Sequence, residues 1–147
     1  SEALVRRIIQ NKPLYQINTL VDCGNYCSCV LGLSIGLYDV DKINGDVTLR
    51  MGKTGESYRG IHKDIIHIEN RFTIADNTGP FGNPSSDSDR TKITLETNRV
   101  LFVIYAPFNY NSEHLIQHTH FSQQLIINYC QGRVVGNWFL PANVFHS

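Results

Sequence analysis

Apolar residues recur at helical spacing in a few long stretches of this chain and at strand spacing in several short ones. Leu20, Cys23, Cys27 and Val30 or Leu31 line one stripe of a helix, because residues three and four apart share a face. Thr19, followed three residues later by Asp22, has the form of a capping box and predicts a helix start there. Ser112 predicts the cap of a second helix that runs to Tyr129 or Cys130, stops at Gly132 and turns Leu115, Phe121, Leu125 and Tyr129 inward. Near the N-terminus, Leu4, Val5, Ile8 and Ile9 predict a helical face over Glu2 to Asn11, ended by Lys12-Pro13.

The strand signals are shorter. Asn44-Gly45-Asp46 reads as a turn before the alternating Val47 to Arg50. Ile65 to Glu69 and Arg71 to Ala75 predict two strands joined as a hairpin through Glu69-Asn70. Lys92 to Pro107 is the longest strand candidate. Its run from Val100 to Tyr105 is almost continuously apolar or aromatic, as expected of a central strand buried on both faces. Trp138 to Phe145 is an apolar tail broken by Pro141.

Composition narrows the class without naming a function. With 147 residues, 41% hydrophobic and 18% charged, the chain suits a single domain over residues 1–147 with a core of its own. No apolar run is long enough to span a bilayer, so no membrane association is expected and a soluble cytoplasmic protein is. The chain opens on Ser1 rather than Met, which leaves room for an upstream segment. The 13 basic residues balance 13 acidic ones and are scattered, Arg6, Arg7 and Lys12 being the nearest to a cluster. Phosphate neutralisation dominates nucleic-acid affinity, so weak nucleic-acid binding at best is expected.

The cysteines and histidines invite a metal reading that their spacing does not favour. Cys23 and Cys27 share the apolar helix stripe, where a free thiol behaves as a small hydrophobe. Cys-x3-Cys-x-Cys, with Cys130 distant, is not zinc-ribbon spacing. His114 and His118 share a helix face with His120 nearby, but no third ligand is assured, and His62 and His67 read as structural. Neither a metal nor another cofactor is expected. Elemental analysis of the purified protein should find no stoichiometric zinc; one equivalent lost on Cys27→Ala would overturn the core placement of that thiol.

Most of the candidate chemistry lies between Asp76 and Thr91. Gly79, Pro80, Gly82 and Pro84 set unusual backbone angles around Ser85, Ser86, Asp87, Ser88, Asp89 and Arg90. Amides freed by such a loop can bind a carboxylate or phosphate, and Asp87 or Asp89 can hold an ammonium group. Those are the two charged groups of an amino acid. A solvated, turn-rich connection is the plain alternative.

Within Leu20 to Asp41, a helix carrying Asn25 and Tyr26 runs into Leu31-Gly32 and then into Tyr38-Asp39. With Gly55-Glu56, Ile74-Ala75-Asp76, Gly82, Thr97 and Val100-Leu101 following in order, the stretch from Leu20 to Phe108 resembles the B3/4 domain, the editing module of the β subunit of bacterial phenylalanyl-tRNA synthetase. The loop from Phe81 to Thr91 looks like the form of this domain that occurs free of a synthetase. The resemblance implies an α/β (α+β) domain with a sheet core flanked by helices. It also implies Asn25, Tyr38, Asp39, Ser86, Asp87, Ser88, Arg90 and Thr97 as substrate-binding residues bordering one pocket.

Two departures bear on chemistry: Gly36 stands where the family has His, and Val103 where it has Glu. One expectation is an ester hydrolase that clears mischarged aminoacyl-tRNA, using Asn25, Asp39, Ser88 and Thr97 to position water and stabilise the oxyanion. The other is a non-catalytic module that binds a free amino acid or an aminoacylated ligand. Each lost base or orienting group removes about 10²-fold or more, so slow deacylation of tyrosyl-tRNA for phenylalanine is expected unless other groups replace them.

Overall fold

A computed structural model describes residues 2–9 and 15–140, with side chains from 18 to 138. The order is β1 (Glu2–Ile9), α1 (Tyr15–Leu31), β2 (Ser34–Asp39), β3 (Thr48–Met51), β4 (Ser57–Arg59), β5 (Ile65–His67), β6 (Phe72–Ala75), β7 (Pro80–Gly82), β8 (Arg99–Ala106), α2 (Ser112–Cys130) and β9 (Arg133–Leu140). One sheet has the order β2-β8-β1-β9 and is antiparallel throughout. A smaller sheet is ordered β3-β6-β7, and β4 pairs with β5. No helix among the described residues is long and apolar enough to cross a membrane.

Alternation along β8 builds the molecule. Val100, Phe102, Ile104 and Ala106 point to one face, where Leu20, Cys23 and Cys27 of α1 and Leu115, Ile126 and Cys130 of α2 cover them. Leu101, Val103 and Tyr105 point to the other, against Tyr38, Leu49, Ile74 and Phe81. The central placement expected from the continuous apolar run therefore holds. Cys23 and Cys27 are buried and free, as the helix stripe predicts, and Cys130 of α2 is buried beside them with its Sγ 3.7 Å from that of Cys23. Burial pushes the Cys130 thiol up to about 12.

Several local expectations are corrected. Glu2–Ile9 is a strand, paired along its length with β8 on one side and β9 on the other. Its apolar span is too short for a packed helix, and two waiting partners decide the ambiguity. The Lys12-Pro13 stop, the side chains of Arg6, Arg7 and Lys12, and the tail beyond Leu140, Pro141 included, lie outside the described residues. α1 begins at Tyr15, so Thr19 lies inside it and cannot be its cap. It ends as expected at Gly32, which takes a left-handed φ of 68° and donates to the Ser28 carbonyl at 2.9 Å.

The proposed hairpin does not form. β5 pairs with β4, whereas β6 pairs with β3 and β7. Asn70, at φ 57°, does turn the chain, but it directs it to Gly52: Asn70 N donates to the Gly52 carbonyl and Gly52 N to that of Arg71. Burial selects the partners, since Thr73, Ile74 and Ala75 are buried and Ile65 is exposed. In α2 the inward stripe is Leu115, Thr119, Ser122, Ile126 and Cys130, with Leu125 partly buried beside it. Phe121 and Tyr129 are exposed, and Phe121 stacks instead on Tyr26 of α1 at 6.4 Å. Asn111 rather than Ser112 caps the helix, accepting from His114 N at 3.0 Å, and Gln131 at φ 55° ends it ahead of Gly132.

Ile104 is buried in the seam between sheet and helices. Ile104→Ala should cost about 2–5 kcal/mol, read in urea as a lower midpoint at unchanged slope.

Candidate functional site

On the sheet face opposite the helices, β2 buries the whole of Tyr38. Two glycines leave space for its phenol. A Cβ on Gly36 or on Gly82 would overlap the Tyr38 oxygen. That oxygen lies 2.5 Å from Asp87 Oδ1 and 2.6 Å from Tyr105 Oη. An ionised carboxylate only accepts, so Tyr38 donates to Asp87, and its single proton being committed, it accepts from Tyr105. Beside them the Tyr58 hydroxyl donates to the Ser86 carbonyl at 2.6 Å.

Burial sets the protonation of this cluster. It raises the phenols of Tyr38, Tyr105 and Tyr58, and the Asp87 charge adds to the rise in each, so all three stay neutral donors at neutral pH. Burial also raises Asp87, to about 6, against the opposing pull of the Tyr38 hydrogen bond. The second Asp87 oxygen accepts no hydrogen bond among the described residues.

Cavities lie on both sides of the cluster. One of about 310 Å³ is lined by Tyr105 and Ala106 of β8, Leu33 and Ser34 at the start of β2, Phe72 and Pro84. A second of about 310 Å³ shares Phe72 and Pro84 with it and adds Arg71, Asn83 and Ser85. A third of about 150 Å³ contains Ser85 and is bordered by Ser86, Asp87, Asp64 and His62. The first and second share the walls Phe72 and Pro84, and the second and third share Ser85, with Tyr105 bordering the first and Asp87 the third.

Of the residues singled out in the sequence, Tyr38 and Asp87 meet directly, with Ser86 adjacent through Tyr58. Asp39 and Thr97 form a separate buried pair: Thr97 Oγ1 donates to Asp39 Oδ2 at 2.8 Å, while Asp39 Oδ1 caps a short 3-10 turn through Asp41 N at 3.0 Å. Ser88 is buried and caps another short turn through Arg90 N at 3.0 Å. Arg90 clamps Asp76 with two bonds of 2.9 Å. Burial works to raise Asp76, and the bonds from Arg90, Asn44 and Gly79 more than reverse it. Asn25 is exposed on α1, on the helix side of the sheet, whereas the Ser88 backbone bonds Phe81 on the opposite side. The single pocket shared by Asn25 and the loop is therefore not formed.

Among the described residues no three His, Cys, Asp or Glu side chains are placed to hold a metal. His118 Nε2 lies 2.6 Å from the Tyr110 hydroxyl, and His114 is exposed. His62 and His67 are exposed too, not packed into the structure as expected. Tyr105 and Tyr58 are the site residues the sequence concealed. Tyr105 reads as one more large residue in an apolar strand, and only its odd position, shared with Leu101 and Val103, marks its face.

The sequence model of the B3/4 domain matches residues 1–125. The chain belongs to the B3/4 domain family. It is similar to the phenylalanine–tRNA ligase β subunit of Ralstonia nicotianae, at 27% identity over 94 residues, covering 63% of this chain and 12% of that protein. The corresponding subunit of Bartonella henselae is 32% identical over 90 residues, covering 60% and 11%. A crystal structure of an N-terminal fragment of the phenylalanyl-tRNA synthetase β subunit from Pyrococcus horikoshii superposes with a TM-score of 0.74 at 12% identity, covering 95% of this chain and 50% of that one. That likeness shows the fold. This chain spans about a tenth of the length of the curated relatives it matches.

Gly36 of β2 and Val103 of β8, the two positions where the resemblance leads one to expect His and Glu, are cross-strand partners. The Tyr38 phenol occupies the space that a side chain at Gly36 would take.

The raised Asp87 carboxyl predicts a pH signature of stability. It binds its proton more tightly folded than unfolded, so its stabilisation is full below 3.8 and lost as pH rises through about 6. The difference is at most roughly 3 kcal/mol. Glu56, Asp76 and Asp89 are lowered and act in the opposite sense, so the wild type must be compared with Asp87→Asn. Urea unfolding at pH 4 and pH 7 should show the wild type losing stability relative to Asp87→Asn over that interval.

Proposed function

We propose that this B3/4 domain binds an aminoacyl group in the cavity over Tyr105 and acts as an editing-type ester hydrolase on mischarged tRNA, with Asp87 as general base. One observation carries this reading: a half-buried carboxylate raised to about 6 is held by the Tyr38 phenol on the rim of a cavity system. Cavities of about 310 Å³ stand at the small end of the ligand-pocket range, which suits a single amino-acid side chain. The Asp87-bordered space of about 150 Å³ has room for several waters, at about 30 Å³ each in the liquid.

In this mechanism the ionised Asp87 takes a proton from water as the oxygen attacks the ester carbonyl, and the ribose hydroxyl leaves with a proton. Tyr105 and Tyr38, both neutral, hold the carboxylate through their chain of hydrogen bonds. Asp87 thereby stands in for the groups absent at Gly36 and Val103. Asp39, Thr97, Ser88 and Arg90 act through the backbone they brace.

A second reading, binding of an amino acid without turnover, draws on the same cluster. The Tyr38 hydroxyl is saturated inside the protein and closes the space over Gly36, leaving fewer polar groups to orient water.

Deacylation of tRNA for phenylalanine mischarged with tyrosine, corrected for spontaneous hydrolysis, separates the two. The hydrolase reading expects a rate that climbs through about pH 6 as Asp87 ionises. Asp87→Asn should lower it about 10²-fold or more and flatten the profile. Ser88→Ala, which removes a turn cap, should leave the profile's shape unchanged. Amino-acid binding by wild type and Asp87→Asn alike, with no turnover in either, would establish the binding module instead.

A further inference from the structure

Arg71 makes no ion pair among the described residues. Arg50 is paired with Glu56 at 2.7 Å and Arg90 with Asp76 at 2.9 Å. Arg71 has no carboxylate within 4.0 Å among the described residues; its Nη1 makes one long donation, 3.4 Å, to the His67 carbonyl. It is exposed immediately before β6 and lines the second cavity of about 310 Å³. Its charge is close enough to work against the burial that raises the Tyr58 phenol. Phe72 and Pro84 line both this cavity and the one over Tyr105, so the two adjoin at those side chains and Arg71 borders the neighbour of the Tyr105 cavity.

We infer that Arg71 is an anion subsite that receives a phosphate of a nucleotide whose aminoacyl group lies over Tyr105. This rests on the aminoacyl reading above and adds to it the part of the ligand beyond the ester. In an aminoacyl ester the amino acid's own carboxylate is consumed, so the negative charge left to meet a cation is phosphate. The neighbouring backbone amides of Ser85 and Ser86 are already taken by Asn83 Oδ1, both at 2.7 Å, so among the residues lining this cavity the guanidinium, the Asn83 side-chain amide nitrogen and the exposed Ser85 hydroxyl are the donors to hand. A guanidinium offers paired N–H groups to phosphate oxygens, a geometry an ammonium lacks.

Calorimetric titration with a hydrolysis-resistant amide, 3′-tyrosylamino-3′-deoxyadenosine, with its 5′-phosphate and with free tyrosine tests the assignment. In the wild type the 5′-phosphate should tighten binding by roughly tenfold, and less as salt is raised. Arg71→Ala should abolish that gain, Arg71→Lys should keep part of it, and neither should alter binding of the unphosphorylated amide. If the unphosphorylated amide binds and the phosphate adds nothing, or Arg71→Ala keeps the gain, the subsite is refuted while the aminoacyl reading stands. If neither nucleoside binds, both fall together. Loss of free-tyrosine affinity in Arg71→Ala, without a phosphate effect, would reassign the cation to a carboxylate and refute the subsite as well.

Discussion

Burial of β8 on both faces is the constraint from which the other layers follow. A strand whose successive residues are all apolar cannot leave either side in water, so one side draws in both helices and the other draws in the small sheet. β1 and β2 pair along its two edges, which removes its unpaired backbone groups from the interior. The site is a product of that arrangement: Tyr38 and Tyr105 are brought together because Tyr38 of β2 lies near Tyr105 of β8 on the same face.

Within that face, a side chain is missing where a larger one enters. Gly36 and Gly82 give the Tyr38 phenol its volume, and Asp87 reaches it from the loop after β7. A carboxylate held by a phenol in a half-buried setting is neither a surface charge nor a sealed ion pair. Its proton affinity is balanced between desolvation, which raises it, and the donated hydrogen bond, which lowers it. Arg90 is taken by Asp76 and Arg50 by Glu56, and Asp87 has no cationic partner among the described residues.

The loop from Asp76 to Thr91 shows how residue type under-determines role. Ser88, Asp89 and Arg90 have the chemistry of a binding loop, yet they cap a turn, pair with Lys63 and Lys92, and clamp Asp76. Asp87, one residue away, faces the interior instead. Asp39 and Thr97 likewise satisfy each other. Ser88, Asp39 and Thr97 each accept from a nearby backbone N–H, because an unpaired buried donor or acceptor is costly.

From the sequence by itself came the family, both long helices, the buried thiol stripe of α1 and the central strand, each a periodic or ordered pattern that spans many residues. What tertiary structure decided lay in short or isolated signals. Glu2–Ile9 is apolar at positions compatible with either element and became a strand because β8 and β9 lie on its two sides. β5 and β6 separated because the turn at Asn70 leads to Gly52, and α2 settled with Ser122 inward and Phe121 outward. Tyr105 could not be told from its apolar neighbours, since its hydroxyl acquires a role only when β2 sets Tyr38 beside it and β7 delivers Asp87. Local pattern specifies elements through their periodicity, whereas contacts between distant residues depend on register and layer order, which no local window contains.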